Sequence, residues 1–134
     1  MSAPGLPPDV EAAFAAFPAS ARAGGLALRD LVFEVAARTP EAGPISEDLR
    51  WGEPAYLTAQ TRSGTTIRIG APKTGGYGLF VNCRTSLIEE FREMAPHLRF
   101  DGRRGVLFAD RDRPDRVALA MLIRAALTYH LRKA

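Results

Sequence analysis

Apolar residues recur at helical spacing over two stretches of the N-terminal third. The first pattern opens at Pro8, and Pro18 ends it because proline cannot continue a helix without losing a hydrogen bond. The second pattern forms a single apolar stripe, made of Leu28, Leu31, Val32, Val35 and Ala36. It ends at Thr39-Pro40, and residues 41–49 are expected to be a linker with room for one helical turn after Ser46.

Beyond Pro54 the apolar period changes from 3.6 residues to 2, which is typical of strands. The pattern predicts five short strands, at residues 55–60, 65–70, 77–82, 98–100 and 106–108. Asp101-Gly102 favours a tight hairpin between the last two. Strands joined by such short turns must pair antiparallel.

Two more helices are predicted in the C-terminal half. Ser86 and Glu89 have the spacing of a capping box, and the inner face of the helix after them is expected to be Leu87, Ile88, Phe91 and Met94. Apolar residues cover most of the circumference from Val117 to Leu131, so we expect this last helix to lie against the sheet.

The predicted element order is α-α-β-β-β-α-β-β-α. It indicates an α+β fold, with an antiparallel sheet of about five short strands and helices packed on one face. The length of 134 residues fits one domain over 1–134, with residues 1–18 as an N-terminal extension or short helix and a core of about 20–131.

Composition narrows the cellular setting. The N-terminus lacks the pattern of a signal peptide, and the longest apolar run, 117–123, is too short to cross a bilayer. Cys83 is the single cysteine, so no internal disulfide can form. We therefore expect a cytoplasmic protein with no membrane partner.

Charge is divided unevenly along the chain. Residues 1–60 hold four arginines against eight acids, whereas residues 61–134 hold fourteen basic side chains against seven acids. A basic half can bind anions or nucleic acid if its arginines share a face. An ordinary solvated surface is the favoured reading, so nucleic acid is not the expected partner.

Residues for familiar catalytic sites are few. Two histidines and one cysteine cannot form a zinc site of the usual spacing, and no G-x-S-x-G sequence places a serine nucleophile. Cys83 lies before a helix and beside Arg84, a setting found for reactive cysteines, but an ordinary half-buried thiol is the favoured interpretation. We expect no enzyme, because no nucleophile, base and orienting group can be assembled.

Trp51 is the only tryptophan and lies where the helical pattern changes to the strand pattern. In one reading it closes the seam between helices and sheet, while Glu53 bonds to an arginine or a backbone amide. In the other, Trp51 and Tyr56 form a small aromatic pocket with Glu53 as its polar group. Aromatic walls around a few polar groups are the usual construction of a ligand site.

The block Trp51-Gly52-Glu53-Pro54-Ala55-Tyr56, with the amphipathic helix before it, resembles the YdhG-like (YdeI-like) family of small bacterial proteins, a domain of unknown function. The run Leu79-Phe80-Val81 and the closing helix over 123–129 are similar in order and spacing. The resemblance covers roughly residues 20–131 and implies a small α+β fold. It also implies an alternative function, since one member is described as a frataxin-like intracellular iron chaperone.

We expect a non-enzymatic YdhG-like binding domain, monomeric or homodimeric, for a small ligand or partner protein. The candidate ligand-binding residues are Trp51, Glu53, Tyr56 and Arg68. No cofactor is expected under this hypothesis. Under the iron-chaperone alternative the metal is Fe²⁺, and Asp30 and Glu34, which share a helix face, are its candidate oxygen ligands. The second alternative is anion or nucleic-acid binding through the basic half.

Overall fold

A computed structural model describes residues 3–132, which form four α-helices and six β-strands. The helices are α1 (Pro8–Ala15), α2 (Ala19–Ala37), α3 (Leu87–Met94) and α4 (Arg116–Leu127). The strands are β1 (Ser46–Arg50), β2 (Glu53–Leu57), β3 (Ile67–Gly70), β4 (Tyr77–Phe80), β5 (Arg99–Asp101) and β6 (Gly105–Phe108). Short 3₁₀ turns follow at Pro40–Ala42 and Tyr129–Leu131. Across this part of the chain, each helix is too short or too polar to span a bilayer.

All six strands join one antiparallel sheet in the order β1-β2-β3-β4-β6-β5. The predicted α+β class is confirmed, although residues 3–132 form six strands where about five were expected. The hairpins β2–β3 and β5–β6 are present as predicted, although β2 and β3 are shorter than the apolar pattern suggested.

The additional strand is β1, which occupies the second half of the predicted linker. Its sequence is Ser-Glu-Asp-Leu-Arg, and acidic residues are depleted in strands. The linker prediction over residues 41–49 is wrong there because pairing with β2 outweighs this weak propensity. Leu49 pairs with Pro54, and Arg50 pairs with Glu53 beside the turn.

The core lies on one face of the sheet, under the helices. Helices α1 and α2 pack directly on the strands, while α4 packs on α2 and α3. The strands contribute one alternating set of side chains to this core, namely Tyr56, Ile67, Ile69, Tyr77, Leu79, Val106 and Phe108. Gly24 lets α2 approach β4 closely, because any Cβ at this position would overlap the ring of Tyr77.

Details of the helix ends differ from the sequence pattern. The apolar face of α3 is Leu87, Ile88 and Phe91, but Met94 is 59% exposed, so its assignment to the inner face is wrong. Ser86 does not form a capping box, since its hydroxyl donates to the carboxylate of Glu90. Helix α4 is capped by Asp115, which accepts a bond from the Ala118 N–H at 3.1 Å.

Candidate functional site

The face of the sheet that points away from the helices holds Glu53 and Arg68 of the predicted site. Side chains alternate along a strand, so the buried Ile67 and Ile69 place Arg68 on the opposite face. The same alternation places Glu53 there, because Tyr56 faces the core. We call this surface the open face; it is formed by Glu53, Ala55, Arg68, Gly70, Gly78, Phe80, Gly105 and Leu107.

Trp51 and Gly52 form the two-residue turn between β1 and β2. Both have positive φ, 57° and 77°, as a type I′ turn requires. This backbone strains a bulky L-residue, and asparagine is the usual choice in such a turn. The side chain of Trp51 is nevertheless 89% exposed. The reading in which Trp51 closes the seam between helices and sheet is therefore wrong.

Glu53 and Arg68 form an ion pair on the open face. The Nη1 of Arg68 lies 2.9 Å from the Oε1 of Glu53, and both side chains are partly exposed. The carboxylate of Glu53 lies over Gly70, where any Cβ would collide with it. Because only Nη1 is engaged within the described part of the chain, the other nitrogens of Arg68 remain available as donors.

Phe80 lies flat at the centre of the open face. A Cβ at Gly70, Gly78 or Gly105 would press against its ring, so the three glycines form a floor on which the ring rests. The guanidinium of Arg104 lies above the ring, 5.1 Å from its centroid. Phe80 is therefore only 2% exposed, and Arg104 presents its charge to solvent in place of the ring.

A groove of about 430 Å³ runs over the open face from the Trp51 turn to the ends of β3 and β4. Among the described residues its lining contains three arginines and no carboxylate, and it includes Arg50, Trp51, Thr66, Arg68, Asn82 and Arg104. The groove is therefore rich in hydrogen-bond donors. Each arginine has an acidic partner outside this lining.

The acidic partners leave much of each guanidinium free. Arg50 bonds to Asp48 through Nη1 at 2.9 Å, and the Nε of Arg104 lies 3.4 Å from Asp101. These pairs are largely exposed, so water and salt screen them. An anion in the groove would add to such contacts rather than compete with a buried pair.

Tyr56 faces the core and does not join Trp51, Glu53 and Arg68. Its hydroxyl donates to the Oε2 of Glu47 at 2.9 Å, and Glu47 in turn pairs with Arg29 at 2.5 and 2.8 Å. Burial raises the pKa of Tyr56 well above its usual range, and the charge of Glu47 adds to the shift. This network belongs to the fold rather than to the groove.

The candidate iron ligands lie on α2, away from the groove. Glu34 faces two arginines, Arg38 at 3.8 Å and Arg116 in closer contact, while Asp30 is exposed. Within residues 3–132, histidines, cysteines and acids do not form any group of three that could hold a metal ion. The iron-chaperone alternative stays a prediction from the resemblance.

Among the described residues that line the groove, Trp51 and Arg68 were predicted, and Arg50, Cys83 and Arg104 are among those that were missed. Arg50 and Arg104 belong to different hairpins, and only the strand order brings them to one surface. Cys83 lies on the groove wall and is exposed, so the half-buried thiol reading is wrong. Arg50 could have been predicted as a site residue because it precedes Trp51 in the sequence. No feature of the sequence around Arg104 indicates that it lies near Trp51.

Comparison with known proteins found no family model, no curated protein and no solved structure that matches this chain. The resemblance to the YdhG-like family stays a prediction from the Trp51 block.

Proposed function

We propose that the protein is a non-enzymatic binding domain that holds a small anionic ligand in the groove beside Trp51. The observation that carries this proposal is the backbone conformation and the exposure of Trp51. The residue is strained by its positive φ and contributes almost no buried surface, so the fold gains little from it. A large exposed aromatic at the mouth of a groove is a common means of holding a ligand.

The chemistry of the lining supports an anion. Arg50, Arg68 and Arg104 offer planar guanidinium groups, which bind carboxylates and phosphates in a bidentate manner. The amide of Asn82 and the hydroxyl of Thr66 add polar contacts. The volume of about 430 Å³ is within the range of small-molecule sites.

The test is a titration of the full-length protein with three probe anions: a naphthalene disulfonate, pyrophosphate and citrate. Trp51 emission and calorimetry follow the binding at low ionic strength. We expect at least one probe to bind with one-to-one stoichiometry and to change the emission. Affinity should fall as salt is added, because the contacts are solvent-exposed.

A pair of matched variants assigns the binding to the groove. Arg103 and Arg104 are neighbours in one turn, but Arg103 pairs with Glu89 on α3 and does not line the groove. We expect Arg104→Gln to weaken binding about tenfold, as expected for loss of a charged hydrogen bond, and Arg103→Gln to leave it nearly unchanged. Equal losses in both variants, or no probe binding at all, would contradict the proposal.

A further inference from the structure

We propose that the ligand is a nucleotide, with its base stacked on Trp51 and its phosphate held by Arg68 and Arg104; this inference rests on the proposed function. The groove offers a flat aromatic surface near one end and guanidinium groups beyond it. A ligand that satisfies both ends needs a planar ring and an anion joined by a short polar spacer. A nucleoside monophosphate has these three parts.

The anionic end fits a phosphate better than a single carboxylate. Arg68 uses only Nη1 on Glu53, and Arg104 approaches Asp101 through Nε, so both keep other nitrogens for a ligand. Two guanidinium groups in one lining suit an anion with several oxygens and a charge near −2.

Of the two described aromatic side chains on or beside the open face, Trp51 is the one that can stack on a ligand. Phe80 is covered by Arg104 and cannot stack on a ligand, whereas Trp51 is 89% exposed. Stacking on tryptophan tolerates any base, because every base has a π-face. The amide of Asn82 and the hydroxyl of Thr66 lie in the same lining and can bond to a sugar hydroxyl or a base edge.

Calorimetry with the four ribonucleoside monophosphates, their nucleosides and inorganic phosphate tests this inference. We expect at least one monophosphate to bind about tenfold more tightly than both its nucleoside and phosphate, since each fragment lacks one of the two contacts. Trp51→Asn should lose about tenfold in affinity for that nucleotide, while Trp51→Phe, which keeps an aromatic face, should retain most of it. Arg103→Gln serves as the charge control.

The outcomes separate this inference from the proposed function. If monophosphates bind no better than phosphate, or if the naphthalene disulfonate binds and nucleotides do not, the nucleotide assignment is overturned while anion binding stands. Binding of oligonucleotides without binding of mononucleotides would also overturn it. If no anion of either panel binds, the proposed function falls, and the nucleotide assignment falls with it.

Discussion

The backbone conformation of Trp51 destabilises the fold, and the proposed binding role explains why a tryptophan occupies this position. A left-handed backbone costs an ordinary L-residue roughly 1–2 kcal/mol, whereas asparagine and glycine tolerate it. Strain of this kind concentrates at functional sites, where the surrounding structure holds it in place. Here the two-residue loop between the paired Arg50 and Glu53 favours a positive φ at Trp51.

Sequence alternation could have separated Tyr56 from the other candidates. Glu53 and Tyr56 are three residues apart on β2, so a strand must direct them to opposite faces. Trp51 escapes the rule because it belongs to the turn. The composition of the Trp51–Tyr56 block suggested one aromatic pocket. The alternation of side chains along β2 determines which face of the sheet each residue occupies.

Tyr56 gives the protein a specific response to alkaline pH. An unfolded tyrosine ionises near pH 10, whereas the pKa of folded Tyr56 is raised by burial and by Glu47. The folded state therefore keeps a proton that the unfolded state loses. We expect the free energy of unfolding to fall above pH 10, by about 1.4 kcal/mol per pH unit from this group.

Chemical denaturation at intervals from pH 8 to 11.5 measures this slope. Tyr56→Phe has no hydroxyl to ionise, so its slope should be smaller than that of the wild-type protein. Tyr77, whose pKa burial raises to about 12, contributes to both proteins and cancels in the comparison. Identical slopes for the two proteins would contradict the role given to Tyr56.

At the scale of elements, β1 shows why a polar strand escapes prediction. Its carboxylate Asp48 accepts a bond from the N–H of Leu49 at 2.8 Å, and Arg50 approaches the carbonyl of Leu49. These contacts occupy backbone groups at the sheet edge and discourage pairing with another chain. On the side of β1 that faces the helices, Glu47 is buried against Arg29. Arg29 belongs to α2, so the local sequence pattern of β1 cannot predict this contact.

The pair of Glu47 and Arg29 is expected to stabilise the fold through β1. Both side chains are nearly inaccessible, so Glu47→Ala leaves a buried charge and should lower the free energy of unfolding by about 3 kcal/mol or more. The double variant Arg29→Met with Glu47→Leu removes both charges. It should be more stable than Glu47→Ala alone, as measured by urea denaturation.

An exposed pair serves as the control for this comparison. Glu89 and Arg103 are both more than half exposed, so Glu89→Ala should change stability by less than about 1 kcal/mol. If the double variant loses as much stability as Arg29→Met and Glu47→Leu lose in sum when measured singly, Glu47 and Arg29 do not act as a pair.

At the scale of the whole molecule, the sequence predicted the class and the hairpins but not the groove. Local periodicity gives the strands, because the alternation of Ile67, Arg68 and Ile69 is readable from the residues alone. The groove arises from the strand order, which sets β4 beside β6 and brings Arg104 over Phe80. Contacts between residues so far apart in the chain depend on global register, which no local pattern contains.

The most direct test of the role of Trp51 is chemical denaturation, followed by circular dichroism, of the wild-type protein and Trp51→Asn, with and without the naphthalene disulfonate. Without the ligand we expect the variant to be more stable by about 1 kcal/mol, because asparagine suits the left-handed turn. The ligand should stabilise the wild-type protein by linkage and stabilise the variant less, because the variant binds it more weakly. If the variant is instead less stable without ligand, and the ligand stabilises both proteins equally, Trp51 serves the fold and the binding role assigned to it is wrong.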